Sequence, residues 1–222
     1  MKISSERGSV IVWILIAVAL FAALGFAMMQ GSDSSTSMIM DESDEGMARM
    51  AVADGNTLQQ AVRRISLLGT ADTAISFENT SDTAYANAAC TKAKCKVFDP
   101  AGGGVNWTTY SSKLNDGSGW IFSTNRINNV GVTGTTDLVA FLPNIKINVC
   151  KKINEMVGFG TAGANPPQES NSVDLTKFTG AYGSTVMDDG GSLFEGKLQG
   201  CFQGGGTPAS TSYYYFQVLL AR

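Results

Sequence analysis

Between Arg7 and Asp33 the chain carries no charged residue, and within that gap Val10 to Met29 is apolar throughout apart from Gly25. Twenty consecutive residues of this kind make a helix of roughly 30 Å, the thickness of a bilayer's hydrocarbon core. A buried helix of a soluble protein would show some polar interruption over that length, so the stretch reads as a membrane segment. Lys2 and Arg7 precede it, whereas Asp33, Asp41, Glu42, Asp44 and Glu45 follow it. Basic residues stay on the cytoplasmic side, which predicts a single-pass inner-membrane protein whose C-terminal domain is periplasmic or extracellular.

Three fates are open to the stretch. It is an uncleaved signal anchor, or a secretory signal peptide cut near Ala27 after the small residues of Gly25-Phe26-Ala27, or a prepilin-type leader and helix. The third rests on Glu6-Arg7-Gly8 followed by Ser9, which opens the apolar run. These residues resemble the type IV pilin and pseudopilin superfamily, whose short charged leader ends in Gly and is cut just before the hydrophobic helix. The resemblance implies cleavage between Gly8 and Ser9, a methylated amine on Ser9, and an N-terminal helix that packs with other pilin-like subunits. Most members have Glu at the fifth mature position; this chain has Trp13 there, a departure shared with tip-located pseudopilins. An unpaired carboxylate in a membrane is costly, so a subunit with no partner below it can discard the Glu. Trp13 also reads as an aromatic at the membrane–water interface, one turn inside the segment.

The organisation expected on this basis is a charged leader (1–8), a transmembrane and assembly helix (9–30), a stalk with an amphipathic helix (31–70) and an extracytoplasmic domain (71–222). In the third segment Leu58, Ala61, Val62, Ile65 and Leu68 recur at helical spacing. Asn56 or Thr57 is a candidate cap for its start and Gly69 for its end, with the serine run and Gly55 predicting a break before it. Beyond residue 71 the pattern is α+β: strands at 73–77, 96–98, 120–123, 128–132, 138–142, 198–203 and 212–220, and one helix at 145–157 capped by Asn144 and closed by Gly158. The aromatic run Tyr213-Tyr214-Tyr215-Phe216 predicts a central strand. The fold class expected is therefore α+β, a long hydrophobic N-terminal helix followed by a loop-rich, mainly antiparallel sheet with one internal helix.

Composition narrows the chemistry. The chain has 222 residues, a net charge of −3 and no histidine. The charge argues against a nucleic-acid partner, and the missing imidazole excludes Ser-His-Asp, Cys-His and His-bearing zinc sites. Cys90, Cys95, Cys150 and Cys201 all follow the apolar stretch, and an even count on a translocated side predicts disulfides. Cys90–Cys95 is the natural local pair, leaving Cys150–Cys201; the other two connectivities stay open, and a four-thiolate zinc site is disfavoured because only one pair is close in sequence. Gly158-Phe159-Gly160-Thr161-Ala162-Gly163 has the spacing of a dinucleotide loop, yet it follows a helix and runs into Asn165-Pro166-Pro167, so it reads as a loop. The acidic run 41–46 has Val52 where a calcium loop needs its last carboxylate, and Asp188-Asp189-Gly190-Gly191 reads as a turn. No catalytic, metal or cofactor residue is assigned.

Two functional classes follow. The favoured one is a non-enzymatic, minor structural subunit of a type IV pilus-like filament or secretion pseudopilus, held by membrane lipid and by partner helices. The second is a membrane-tethered or secreted ligand-binding, adhesin-like domain, for which Trp107, Tyr110 and Trp120 are the candidate groove aromatics.

Overall fold

The computed structural model describes residues 7–222, with side chains described for 12–24 and 40–222. The leader positions 1–6 therefore lie outside the described residues. The chain divides into two units, Met1–Ser43 and Asp44–Arg222. Helix α1 runs over Arg7–Leu67 without the break that the serines and Gly55 predict. In the first unit the side chains of residues 12–24 are exposed.

Among the described residues no helix is long and apolar enough to cross a membrane. This corrects two expectations, the single-pass inner-membrane localisation and the long hydrophobic helix of the fold class. The apolar stretch passes in the same helix into polar and acidic sequence.

In the second unit α1 buries Ala48, Ala51, Leu58, Ala61, Val62 and Ile65. Their spacing of three and four residues keeps them on one stripe. Leu68, expected on that stripe, lies past the helix end and is 44% exposed. The helix is closed at Gly69, whose φ is +78°. Gly69 N–H donates to Ser66 and Thr70 N–H to Ile65, a Schellman arrangement that satisfies the last carbonyls.

The sheet has five strands, β1 (Ile121–Ile127), β2 (Asp137–Leu142), β3 (Val186–Met187), β4 (Gln199–Gln203) and β5 (Tyr213–Leu220), in the order β3-β1-β2-β5-β4. β1, β2, β5 and β4 pair antiparallel, whereas β3 runs parallel to β1. The sheet is thus mixed, the second correction to the expected fold class. β5 lies inside it, and side-chain alternation builds a core on each face. Tyr215 and Leu219 join Phe122, Leu138 and Ala140 beneath α1 and α2 (Ile147–Val157). Tyr214, Phe216 and Val218 join Phe141, Phe202 and Phe194 on the other face, which is covered by the long segment after α2.

Several expected strands do not form. Residues 73–77 and 96–98 meet in a single parallel bridge, Ser76 to Lys96, because a 3-10 turn at Asp72–Ala74 and the turn ending at Cys95 cut both runs short. Residues 128–132 are a turn, with Asn129 and Gly131 at positive φ. Asn144 does not cap α2: it adopts φ 56° and its amide donates to Asp116 Oδ2 at 2.7 Å, while Lys146 occupies the cap. Gly158, in left-handed conformation, ends α2, and the glycine motif it opens is a loop.

Candidate functional site

Two surfaces carry the chemistry that the sequence leaves open. The first is the N-terminal part of α1. Gly8 and Ser9 lie at its start. Trp13 is 69% exposed and Phe21 77%, and Val12, Ile14, Leu15, Ile16, Val18, Leu20 and Leu24 are each at least 45% exposed. At 100° per residue these positions are spread around the whole helix, with no polar face among them.

The second surface lies in the second unit, where α1 meets the loop before β1. Asp54 on α1 accepts a hydrogen bond from the Tyr110 hydroxyl at 2.9 Å, and that hydroxyl accepts one from Trp120 Nε1 at 2.6 Å. Burial, and then the Asp54 carboxylate, push the Tyr110 pKa well above its ordinary value. The phenol therefore stays neutral and can donate and accept at once. Tyr110 and Trp120 are 8% and 5% exposed; both belong to the core and, with Trp107, also line a recess, so the three aromatics expected in a groove are brought together.

Trp107 is more exposed than either. It is half-buried and lines two adjoining recesses of about 530 and 260 Å³, which share Phe98, Asn106 and Trp107. The Phe98 ring meets the Trp107 ring edge-on at 5.3 Å. Gly119 lies so close that a Cβ there would stand 2.4 Å from Trp107 Cζ2. The glycine in that turn is needed for the indole to lie down, which is legible in the sequence only as one of several turn glycines. Around the larger recess stand the Glu78–Lys96 ion pair (2.8 Å), Asn79, Thr80 and Asp99.

The four cysteines form two disulfides, Cys90–Cys95 and Cys150–Cys201. The second ties α2 to β4. Beside it the Asn154 side chain donates to the Cys201 carbonyl and accepts from the Cys201 N–H, both at 2.7 Å. That amide clamp has no sequence signal, since Asn154 reads as an ordinary helix residue.

Two buried carboxylates also escape sequence reading. Asp137 is fully buried; its oxygens accept from Arg222 N–H (3.0 Å) and Ile127 N–H (3.4 Å). Glu169 is fully buried too, with Oε1 accepting from Asp188 N–H at 3.4 Å and Oε2 without a hydrogen-bond partner among the described residues. Desolvation raises both pKa values. The two lie in separate networks, and among the described residues no group of three or more Asp, Glu, Cys or His is placed to hold a metal ion. The 188–191 segment is a turn in which Gly190 N–H donates to Asp188 Oδ1 at 2.8 Å.

Comparison with family models, with curated proteins and with solved structures finds no match to this chain.

Proposed function

We propose that the chain is a non-enzymatic structural subunit, pilin-like in plan, whose N-terminal helix packs with the same helices of other subunits in a filament. The observation that carries this reading is the apolar surface of residues 12–24, exposed on every side of α1. Covering nine such side chains that are about half exposed is worth on the order of 10 kcal/mol, at ~1.5–3 kcal/mol per fully buried side chain. A single flat partner would cover only part of a helix that is apolar all round. Several parallel helices around it cover all of it, which is the packing a filament core provides.

Two further features support the reading. The second unit buries its own core beneath α1, so it needs no partner to fold. Both disulfides and the β5 strand lie within that unit, whereas residues 12–24 lie outside it and are exposed. Cleavage between Gly8 and Ser9 belongs to the same proposal, and intact mass tests it: a product starting at Ser9 is expected, and retention of Met1 overturns that step. Assembly itself is tested by sedimentation velocity. The full chain is expected to form large species that Phe21→Glu with Leu20→Glu disperses; a native chain that sediments as a lone monomer overturns the reading.

A further inference from the structure

The recesses on either side of Trp107 are unrelated to assembly through residues 12–24 and pose a separate question. We propose that they form a binding site for a neutral saccharide unit of a glycan, stacked on the Trp107 indole and hydrogen-bonded by the polar side chains at the rim.

The aromatic surface is fixed in place. Gly119 backs the Trp107 ring so closely that no other residue fits there without displacing it, and the Phe98 edge braces it at 5.3 Å. A ring held in this way loses little conformational entropy when a ligand lands on it, which is what preorganisation means for affinity. A half-buried indole offers a pyranose ring a flat apolar face for its axial C–H groups, and the indole's electron-rich face favours those weakly positive hydrogens.

The rim suits hydroxyl groups, each of which donates and accepts. Asn106 is exposed, lines both recesses, and its amide has no hydrogen-bond partner among the described residues. Asp99 uses one carboxylate oxygen on the Ala101 N–H at 2.9 Å. Glu78 and Lys96 stand as a 2.8 Å pair across the same recess. Asn79 contributes position more than binding: its side chain is spent on the N–H groups of Ser81 and Asp82 and on the Phe77 carbonyl, fixing the loop that forms one wall.

Charge selects the class of sugar. Lys96 is neutralised by Glu78, and Asp99 with Asp54 leaves the two recesses together with two net negative charges, on a chain that is itself −3. Phosphates, uronates and sialates are therefore repelled, as are nucleic acids. A basic peptide is the rival occupant, drawn by Asp99 and Asp54 and by a cation over the indole. Against it, Asp54 is engaged by the Tyr110 hydroxyl and Asp99 by the Ala101 N–H, and two such carboxylates are few for a polycation, whereas the mixed donors and acceptors match a polyol. The combined recesses fall in the size range of small-ligand sites.

The test is equilibrium dialysis of the full chain against radiolabelled maltotriose, cellotriose and tri-N-acetylchitotriose, with tri-lysine as the basic comparison. Saturable uptake of at least one trisaccharide is expected, with a dissociation constant on the order of 1 mM. Trp107→Ala is expected to weaken it at least about tenfold. Asn106→Ala, which removes an exposed side chain without partners, keeps the test valid if the tryptophan variant unfolds, and is expected to weaken uptake about three- to tenfold. The proposal is overturned if none of the three sugars is taken up, if uptake is the same in both variants, or if tri-lysine alone is retained.

Discussion

Gly55 sits in the middle of α1, where glycine costs helix stability, and the structure explains why it is there. A Cβ at this position would stand 2.8 Å from the Tyr215 hydroxyl, 3.1 Å from Tyr215 Cε1 and 3.2 Å from Gln217 Oε1. Tyr215 is fully buried, and its hydroxyl is engaged with Gln199 Oε1 at 3.0 Å and Gln217 Oε1 at 2.9 Å. It cannot swing aside without leaving that network. Gly55→Ala gains about 1 kcal/mol of helix propensity, loses about 1–3 kcal/mol to overpacking and about 1–3 kcal/mol more if the hydroxyl is displaced. The net is a destabilisation of about 2 kcal/mol, which lowers Tm by about 4–8 °C for a chain of this size. Gly46 provides the matched control: it lies in the same helix, and nothing stands within 4 Å of its would-be Cβ. Gly46→Ala is expected to raise Tm by about 2–4 °C, through propensity alone. Thermal unfolding of both variants at one protein concentration, followed by circular dichroism, reads the two shifts. If both variants gain stability, the reasoning that Gly55 is there to admit Tyr215 is wrong.

Other expectations follow from the same geometry. Replacing Cys150 and Cys201 by Ser opens a loop of sequence separation 51, against 5 for Cys90 and Cys95. Loop entropy puts the two losses at about 4 and about 2 kcal/mol, so calorimetry should find the long-loop variant less stable by several degrees; the reverse order contradicts the argument. Glu169 has its pKa raised by desolvation, so its contribution to stability is complete at pH below the ordinary carboxylate range and is lost as pH rises through the raised value. Glu169→Gln removes the titration, and its Tm is expected to exceed the native one at pH 8 and to match it near pH 4; an equal difference at both pH values would exclude the burial cost as its cause.

The parts legible in the sequence are those set by local pattern. The stripe from Leu58 to Ile65, the aromatic strand at 213–220 and the glycine at 158 each rest on periodicity or turn chemistry, and the structure uses them so. What was not legible depends on distant partners. The helix passes through Gly55 because Tyr215, 160 positions later, fills the space a side chain would take. Residues 73–77 have strand-like composition, yet they form only one bridge, since Lys96 alone is set beside Ser76. The two-residue strand β3 forms through a parallel pairing with β1, too short a segment for any periodicity to show. The same holds at the candidate sites. Trp107, Tyr110 and Trp120 have the same composition signal, and only the folded chain shows that Tyr110 and Trp120 are joined by a hydrogen bond in the core while Trp107 lies more open beside them in the same recess. The buried Asp137 and Glu169 look like any other surface acids in the sequence.

The central claim is that residues 12–24 are covered by the helices of other subunits. Phe21, 77% exposed, is the position to test, with a photoreactive benzoylphenylalanine in its place in the full chain and a second probe at Leu193, 45% exposed in the other unit, as control. The account predicts a ladder of covalent dimers and higher species from position 21, with crosslinks mapping to residues 12–24 of another copy, and none from position 193. Monomer alone at position 21, or crosslinks from it into residues 44–222 of its own chain, would contradict the claim.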